Sequence, residues 1–426
     1  MKHITRTTQS DSDLACATLC ETHSVGANSV PQSVTEHFWT CVDDVDREGW
    51  DSVRHADDIF MDLRLLKAIE TSMTDSCRFR YVLYRDESQQ PIAIAVLCTF
   101  EIDIGVLAND PWSKWLLNGL ARISPSLVTY RILFCGLPLS ACQSSLRFVE
   151  GVETAVILAK LDETLSRLAK QDRAKIIVFK EFADHELPRL QPLVSLGYRN
   201  ADSLPTHLIS LNGGSFEEYL GRLGRNSRNA VKRSLRKFAG SGMQFITTSD
   251  FVMIEKLMSP KTYALYESVL ERSTTKFEHL PRAFFLEMAR QLPDCCEYSF
   301  ALDGNEVKGF SMGLVSGDEY YGLYMGFDET INHDTHLYFN LSLRGIENAA
   351  HHGVAIAEIG QNSEDVKRAK FGAIQSRRSI YVRGSQRWMN WVIGRFFNQL
   401  FPPRPISDSP EHATTHVDGA QPARDD

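Results

Sequence analysis

Residues 337–373 read LYFNLSLRGIENAAHHGVAIAEIGQNSEDVKRAKFGA. Apolar residues at helical spacing run from Tyr338 to His351 and stop at Gly353, a residue that ends helices without steric cost. The run Ala355–Gly360 follows as a short, apolar strand. Glu364–Phe371 then reads as a short helix closed by Gly372. One carboxylate, Glu358, lies inside the apolar strand, where a charge needs a partner or a purpose. Gln361 follows the strand end, and Lys367 falls one turn into the short helix.

Upstream, Ser215 opens a helix with Glu218 three residues on, a capping box. Helices are expected over about 215–239, 251–257, 262–271 and 281–292. Strands are expected at Tyr298–Leu302, Val307–Ser316 and Glu319–Gly326, joined by turns at Asp303-Gly304-Asn305 and Ser316-Gly317-Asp318. A last strand is read around Ile380–Arg383. The first half has a similar rhythm: a helix near 57–73, a hairpin of Arg80–Arg85 and Ile92–Phe100, and a helix at Trp112–Ile123. A strand at Tyr130–Cys135, a helix at Glu153–Ala169, and strands at Ala174–Lys180 and Thr206–Leu211 complete it. The fold class is therefore α/β (α+β), with two units that each carry a mixed, mostly antiparallel sheet flanked by helices. The expected division is an acidic extension over 1–50, a domain over 51–212, a second over 213–401, and a disordered tail over 402–426.

The net charge of −8 belongs to the ends. Residues 1–58 hold eleven acids and four bases, and 402–426 five acids and two bases, which leaves the middle near +2. The nine cysteines are odd in number and form no CxxC pair, and several lie in apolar runs. That argues for free thiols in a reducing, cytoplasmic setting and against a disulfide framework or a metal site. No signal peptide or membrane-spanning run is read.

The order of elements resembles the GNAT acyltransferase fold, in tandem. The 337–373 stretch narrows the resemblance to the BioF-like acetyltransferase domain, related to Fem-type aminoacyl transferases. Its marks are Tyr338-Phe339-Asn340-Leu341, Ala349/Ala350 with Gly353, Gly360-Gln361, Lys367 and Gly372. Phe216–Leu220 with Arg225–Asn229 resembles the opening motif of that group, and Leu133–Pro138 is a looser match in the first half. The spacing to Gly372 leaves Lys367 or Lys370 for the family lysine, with Lys367 favoured. The resemblance implies an N-acyltransferase (an N-acetyltransferase-like enzyme) that moves an acyl group from a donor to an amine.

Acyl transfer to an amine needs a proton acceptor, a stabiliser for the carbonyl oxygen and a grip on the donor. Glu358, Gln361, Lys367 and Tyr338 are the candidate catalytic residues; Asp328, His333 and His336 are further candidate bases. The phosphate loop expected of the fold corresponds to Phe327–Leu337, FDETINHDTHL, which has no glycine to cradle a diphosphate. A second cationic feature is the acid-free stretch 222–237, where Arg225, Arg228 and Lys232 fall on one side of a helix and suit phosphate. No tightly bound cofactor is expected; acyl-CoA is the expected co-substrate and a small-molecule amine the acceptor. Two alternatives stand beside this reading. One is a Fem-like aminoacyl transferase using aminoacyl-tRNA on a cell-wall precursor. The other is a non-catalytic module that binds a phosphate-bearing ligand. The aromatic segment Arg387–Phe401 is read as a terminal helix docked on its own domain.

Overall fold

The computed structural model describes residues 34–103, 129–273 and 278–404. The strands in chain order are β1 (Thr35–Trp39), β2 (Arg78–Arg85), β3 (Pro91–Asp103), β4 (Thr129–Cys135), β5 (Leu146–Phe148), β6 (Ile176–Ala183), β7 (Arg199–Asp202) and β8 (Thr206–Ser210). Then come β9 (Gln244–Thr248), β10 (Cys296–Asp303), β11 (Glu306–Ser316), β12 (Glu319–Phe327), β13 (Ile356–Glu358), β14 (Ile374–Ser376) and β15 (Arg378–Gly384). They form two mixed sheets, flanked by helices. The first runs β1-β2-β3-β4-β6-β15-β7, with β5 beside β3; the second runs β14-β8-β13-β12-β11-β10-β9. Each sheet has one parallel pair, β4 with β6 and β12 with β13, and is antiparallel elsewhere. This is a tandem of GNAT-like sheets.

Two strands lie in a different sheet from the one their place in the chain suggests. The sequence puts Thr206–Leu211 in the first unit, but β8 pairs with β13 in the second sheet, Ile356 opposite Ser210. The last strand, read with the second unit, is β15, which pairs with β6 and β7 in the first sheet. Each sheet thus borrows an edge-covering strand from the far side of the 212/213 position. The physical need is the same in both cases. The strand that follows the parallel crossover has a bare edge whose amides and carbonyls require partners. Periodicity shows that a segment is a strand, not which edge it will cover.

Local sequence accounts for most element ends. Ser215 Oγ accepts from Glu218 N while Glu218 Oε2 accepts from Ser215 N, the expected capping box. The helix so opened is shorter than expected: it spans Phe216–Arg222, and a second helix, Arg225–Gly240, begins after Gly224. The helix near 57–73 is confined to Leu63–Met73 because Asp62 caps it, preceded by a single 3-10 turn. The segment Phe327–Leu337 is not a loop: it holds the helix Glu329–Thr335, opened by Asp328. β1 and the helix Arg47–Val53 lie where an extension was read. The helix expected at Trp112–Ile123 lies outside the described residues.

One apolar core runs under both sheets. Trp50, Phe60, Leu66 and Ile69 join Phe284, Phe285, Phe300 and Phe310 in a single buried cluster. The Phe60 ring meets Tyr321 edge-on at 4.9 Å, so a residue of the first sheet's helical layer braces β12. A second close approach fixes the helix Pro260–Arg272 on β12. A Cβ on Gly326 would lie 2.5 Å from Tyr266 N and 2.8 Å from Leu265 C, both backbone atoms.

Gly326→Ala should therefore cost about 1–3 kcal/mol, since backbone cannot step aside as a side chain can. Gly221→Ala, in a helix with nothing near its Cβ position, should raise stability by up to ~1 kcal/mol. Thermal melts of the two variants check the pair, and a neutral Gly326→Ala would contradict the packing.

Candidate active site

β12 and β13 stay together for three residues: Glu319, Tyr320 and Tyr321 face Ile356, Ala357 and Glu358. Past that point β12 runs on to Phe327 while the chain after β13 turns away at Gly360, where φ is +77°. The strands part there. Gly322 stands at the fork, where an added Cβ would come within 3.4 Å of Glu358 O. β8 pins the other side. Ile359 N donates to His207 O at 2.9 Å, and His207 Nδ1 lies 2.9 Å from Gly360 O.

Glu358 ends β13 and is buried. Its Oε2 accepts from Gln143 Nε2 at 3.3 Å and lies 3.6 Å from an Arg378 guanidinium nitrogen. Burial pushes its pKa up to about 7, against the pull of Arg378. Arg378 is held in turn by Cys142 O, at 2.7 Å from Nε, and by Ser376 Oγ. Lys367 points inward from the helix Glu364–Phe371 and is also buried. Its Nζ lies 3.6 Å from the position a Cβ on Gly360 would take. Burial lowers its pKa to about 8, and the nearby Cys142 and Glu358 oppose that shift. Lys370 is exposed on the same helix.

Gln361 crosses from one sheet to the other. Its Nε2 donates to Leu204 O at 2.8 Å and lies 3.5 Å from Glu181 Oε1. Tyr338 stands at the start of the Leu337–His351 helix, its ring 5.7 Å from Phe327. Burial raises its pKa, and hydrogen bonds to Ser363 and Ser342 oppose this, so its hydroxyl borders the same junction. Glu358, Gln361, Lys367 and Tyr338 therefore gather around the end of β13.

The sequence did not single out Cys142, Gln143, Glu181, His207 or Arg378, which complete this constellation. Cys142, Gln143, Glu181 and His207 come from segments more than a hundred positions away in the chain, whereas Arg378 is near in sequence but belongs to β15, a strand of the other sheet. Glu181 had one legible signal, an acid within the apolar run of β6.

The other candidates are placed elsewhere. Asp328 Oδ1 accepts from Thr330 N as a helix cap, His333 is exposed beside Asp334, and His336 is a left-handed junction residue. Asn332 Oδ1 accepts from Tyr338 N at 3.0 Å, so a side chain already occupies one of the amides at the helix start where a diphosphate would dock. The basic helix Arg225–Gly240 touches the site through Ser227 Oγ, which donates to Ala369 O at 2.9 Å. Arg225 and Lys232 are exposed on it. Arg228 instead donates to the carbonyls of Leu220, Gly221 and Leu223 and closes the preceding helix. In the Arg387–Phe401 segment, Met389 and Ile393 pack inward while Trp388 and Trp391 face solvent. No helix among the described residues is long and apolar enough to cross a membrane. No His, Cys, Asp and Glu group among them could hold a metal ion.

A family model described as peptidoglycan biosynthesis/recognition, FemAB-like, matches residues 41–400. The chain belongs to the FemAB-like family. It is an acyltransferase of that family. Among solved structures, FemX superposes with a TM-score of 0.51 at 12% identity, over 81% of this chain and 96% of FemX. A protein of unknown function from Bacteroides thetaiotaomicron VPI-5482 gives 0.50 at 10% identity, over 82% and 99%. A tandem GNAT protein from the clavulanic acid biosynthesis pathway gives 0.48 at 11%, over 83% and 99%. No curated protein matches.

Stability should record the two buried charges of this FemAB-like protein. Glu358 binds its proton more tightly when folded, so stability is highest below its ordinary value of 4.5 and falls as pH rises to about 7. Lys367 binds its proton less tightly when folded, so its contribution recovers from about 8 up to its ordinary 10.5. Each arm amounts to roughly 3 kcal/mol. Melting temperature against pH should dip between the two limbs. Glu358→Gln should flatten the acid limb and Lys367→Met the alkaline one; unchanged profiles would count against buried ionisable groups.

Proposed function

We propose that this protein transfers an acyl or aminoacyl group from a phosphate-bearing donor directly to the amine of a small-molecule acceptor, with no covalent enzyme intermediate. The observation that carries this is the burial of Glu358 and Lys367 together at the open end of the β12/β13 pair. Between about pH 7 and 8 Glu358 is mostly ionised and Lys367 mostly protonated. Glu358 then takes a proton from the attacking amine, and Lys367 faces the negative charge that develops on the carbonyl oxygen. Gln361 orients the reacting amide, and Tyr338 supplies a proton to the departing group.

The donor grip is assigned to the exposed cations Arg225 and Lys232, with Arg228 holding the helix junction beneath them. An acyl-CoA-like thioester fits those charges as a co-substrate. Aminoacyl-tRNA is the second reading, favoured by Asn332 occupying the amide that a coenzyme A diphosphate would use. The family's description supports an acceptor among peptidoglycan precursors. Free cysteines throughout the described residues support a reducing, cytoplasmic setting.

Turnover of purified protein should be assayed with acetyl-CoA and with aminoacyl-tRNA, each with and without ribonuclease. Activity that survives ribonuclease with acyl-CoA present selects the thioester. With the active donor, kcat/KM should follow a narrow bell with limbs near 7 and 8. Glu358→Gln should lower kcat/KM about 10²–10⁴-fold and remove the acid limb. Lys367→Met should lower it about 10²–10³-fold. Full activity in both variants would sink the assignment.

A further inference from the structure

Both parallel pairs break in the same way. In the second sheet the last opposed residues are Tyr321 and Glu358; in the first they are Cys135 and Phe179. The residue after the break is glycine in each case, Gly322 and Gly136. Two residues beyond the break on the partner strand, the backbone turns to positive φ in each case: +77° at Gly360 and +63° at Glu181. Glycine adopts that conformation freely, whereas glutamate does so against steric resistance. The first sheet nonetheless places Glu181 there.

The bend re-aims the side chain. β15 pairs Tyr381 with Phe179 and Ser379 with Phe182, so Lys180 and Glu181 together oppose Ile380 alone, which makes a bulge. Glu181 is thereby directed at the junction between the sheets and is only 4% exposed. There it meets the charges of Arg378 and Glu278 and lies near Gln361. Its Oε2 has no hydrogen-bond partner. The nearest cation, Lys180 Nζ, lies 3.8 Å away and donates instead to the carbonyls of Leu137 and Leu139. Glu278 offers no proton: it accepts from Ser140 N, Ser140 Oγ and Tyr324 Oη. A buried carboxylate oxygen without a donor is costly unless something brings one.

We propose that Glu181 anchors the acceptor: its unpaired Oε2 receives an N–H of a primary alkylammonium group and so selects cationic amines over neutral nucleophiles. This rests on the amide-forming reading above and names its substrate class. The ammonium docks as R–NH3+ and yields one proton to Glu181, where burial favours the protonated carboxyl. The free amine attacks the carbonyl carbon; Glu358 takes the second proton, and the departing thiolate or alkoxide leaves protonated. The products are one amide and one protonated leaving group, with one proton held on Glu181.

The probes are butylammonium, charged at neutral pH, and methoxyamine, uncharged there, each with whichever donor the wild type turns over. Glu181→Gln should raise KM for butylammonium about tenfold or more, the loss expected for a buried charge-assisted hydrogen bond. KM for methoxyamine should move less than about twofold. Equal shifts for both probes would overturn the assignment. Glu181→Gly supplies the second readout. Glycine accepts the positive φ and removes the unpaired carboxylate, so Tm should hold or rise; a fall of several degrees makes Glu181 structural and also overturns the proposal. Should the wild type turn over no donor, the reaction reading fails, and calorimetric titration decides this one. Butylammonium chloride, against sodium chloride as control, should bind the wild type and not Glu181→Gln, and equal binding would refute it.

Discussion

The parallel ladder between β12 and β13 lasts three residues, and everything at the candidate site follows from its stopping there. A longer ladder would carry the two strands on side by side. The break lets the chain turn at Gly360 and brings Lys367 back beside the strand end. Glu358, as the last paired residue, is held on both sides, opposite Tyr321 of β12 and Leu208 of β8. Its backbone is fixed by regular hydrogen bonding, which gives its carboxylate a defined place.

Burial gives that place its chemistry, and burial comes from the first sheet. Gln143 and the Cys142 carbonyl reach the site from the loop after β4, and Arg378 from the first residue of β15. Glu358 would titrate as an ordinary carboxylate were it open to water, and Lys367 as an ordinary amine. The exchange of β8 and β15 between the sheets covers strand edges that would otherwise stand bare and brings Arg378 and His207 to the end of β13.

The two sheets also reveal a repeat that identity between the halves does not show. Gly136 matches Gly322 and Glu181 matches Gly360 when counted from the last opposed pair in each sheet. What persists is the backbone requirement: a glycine at the fork and a positive φ beyond it. Side chains are free to differ once those are met: the first sheet carries a buried carboxylate at Glu181 where the second has Gly360.

Much of this was written locally in the sequence. Period-two and helical patterning marked most of the strands and helices, the Ser215–Glu218 box marked a true helix start, and Gly360 and Gly372 marked chain turns. A carboxylate in AIAEIG was legible because it is out of place where burial is expected; the lysine one turn into the next helix was marked by the family resemblance. These signals are local, carried by residues within a few positions of one another. The sequence did not reveal the helix in FDETINHDTHL, whose polar composition hides an Asp328 cap, nor the role of Arg228, whose charge is used on backbone carbonyls. Nor did it reveal which sheet β8 and β15 would join, or that Cys142, Glu181 and Arg378 would meet Glu358. Those depend on strand edges and buried charges brought together across the two sheets, for Cys142 and Glu181 from more than a hundred positions away, and only the tertiary structure decides such meetings, because only there do the pieces exclude water from one another.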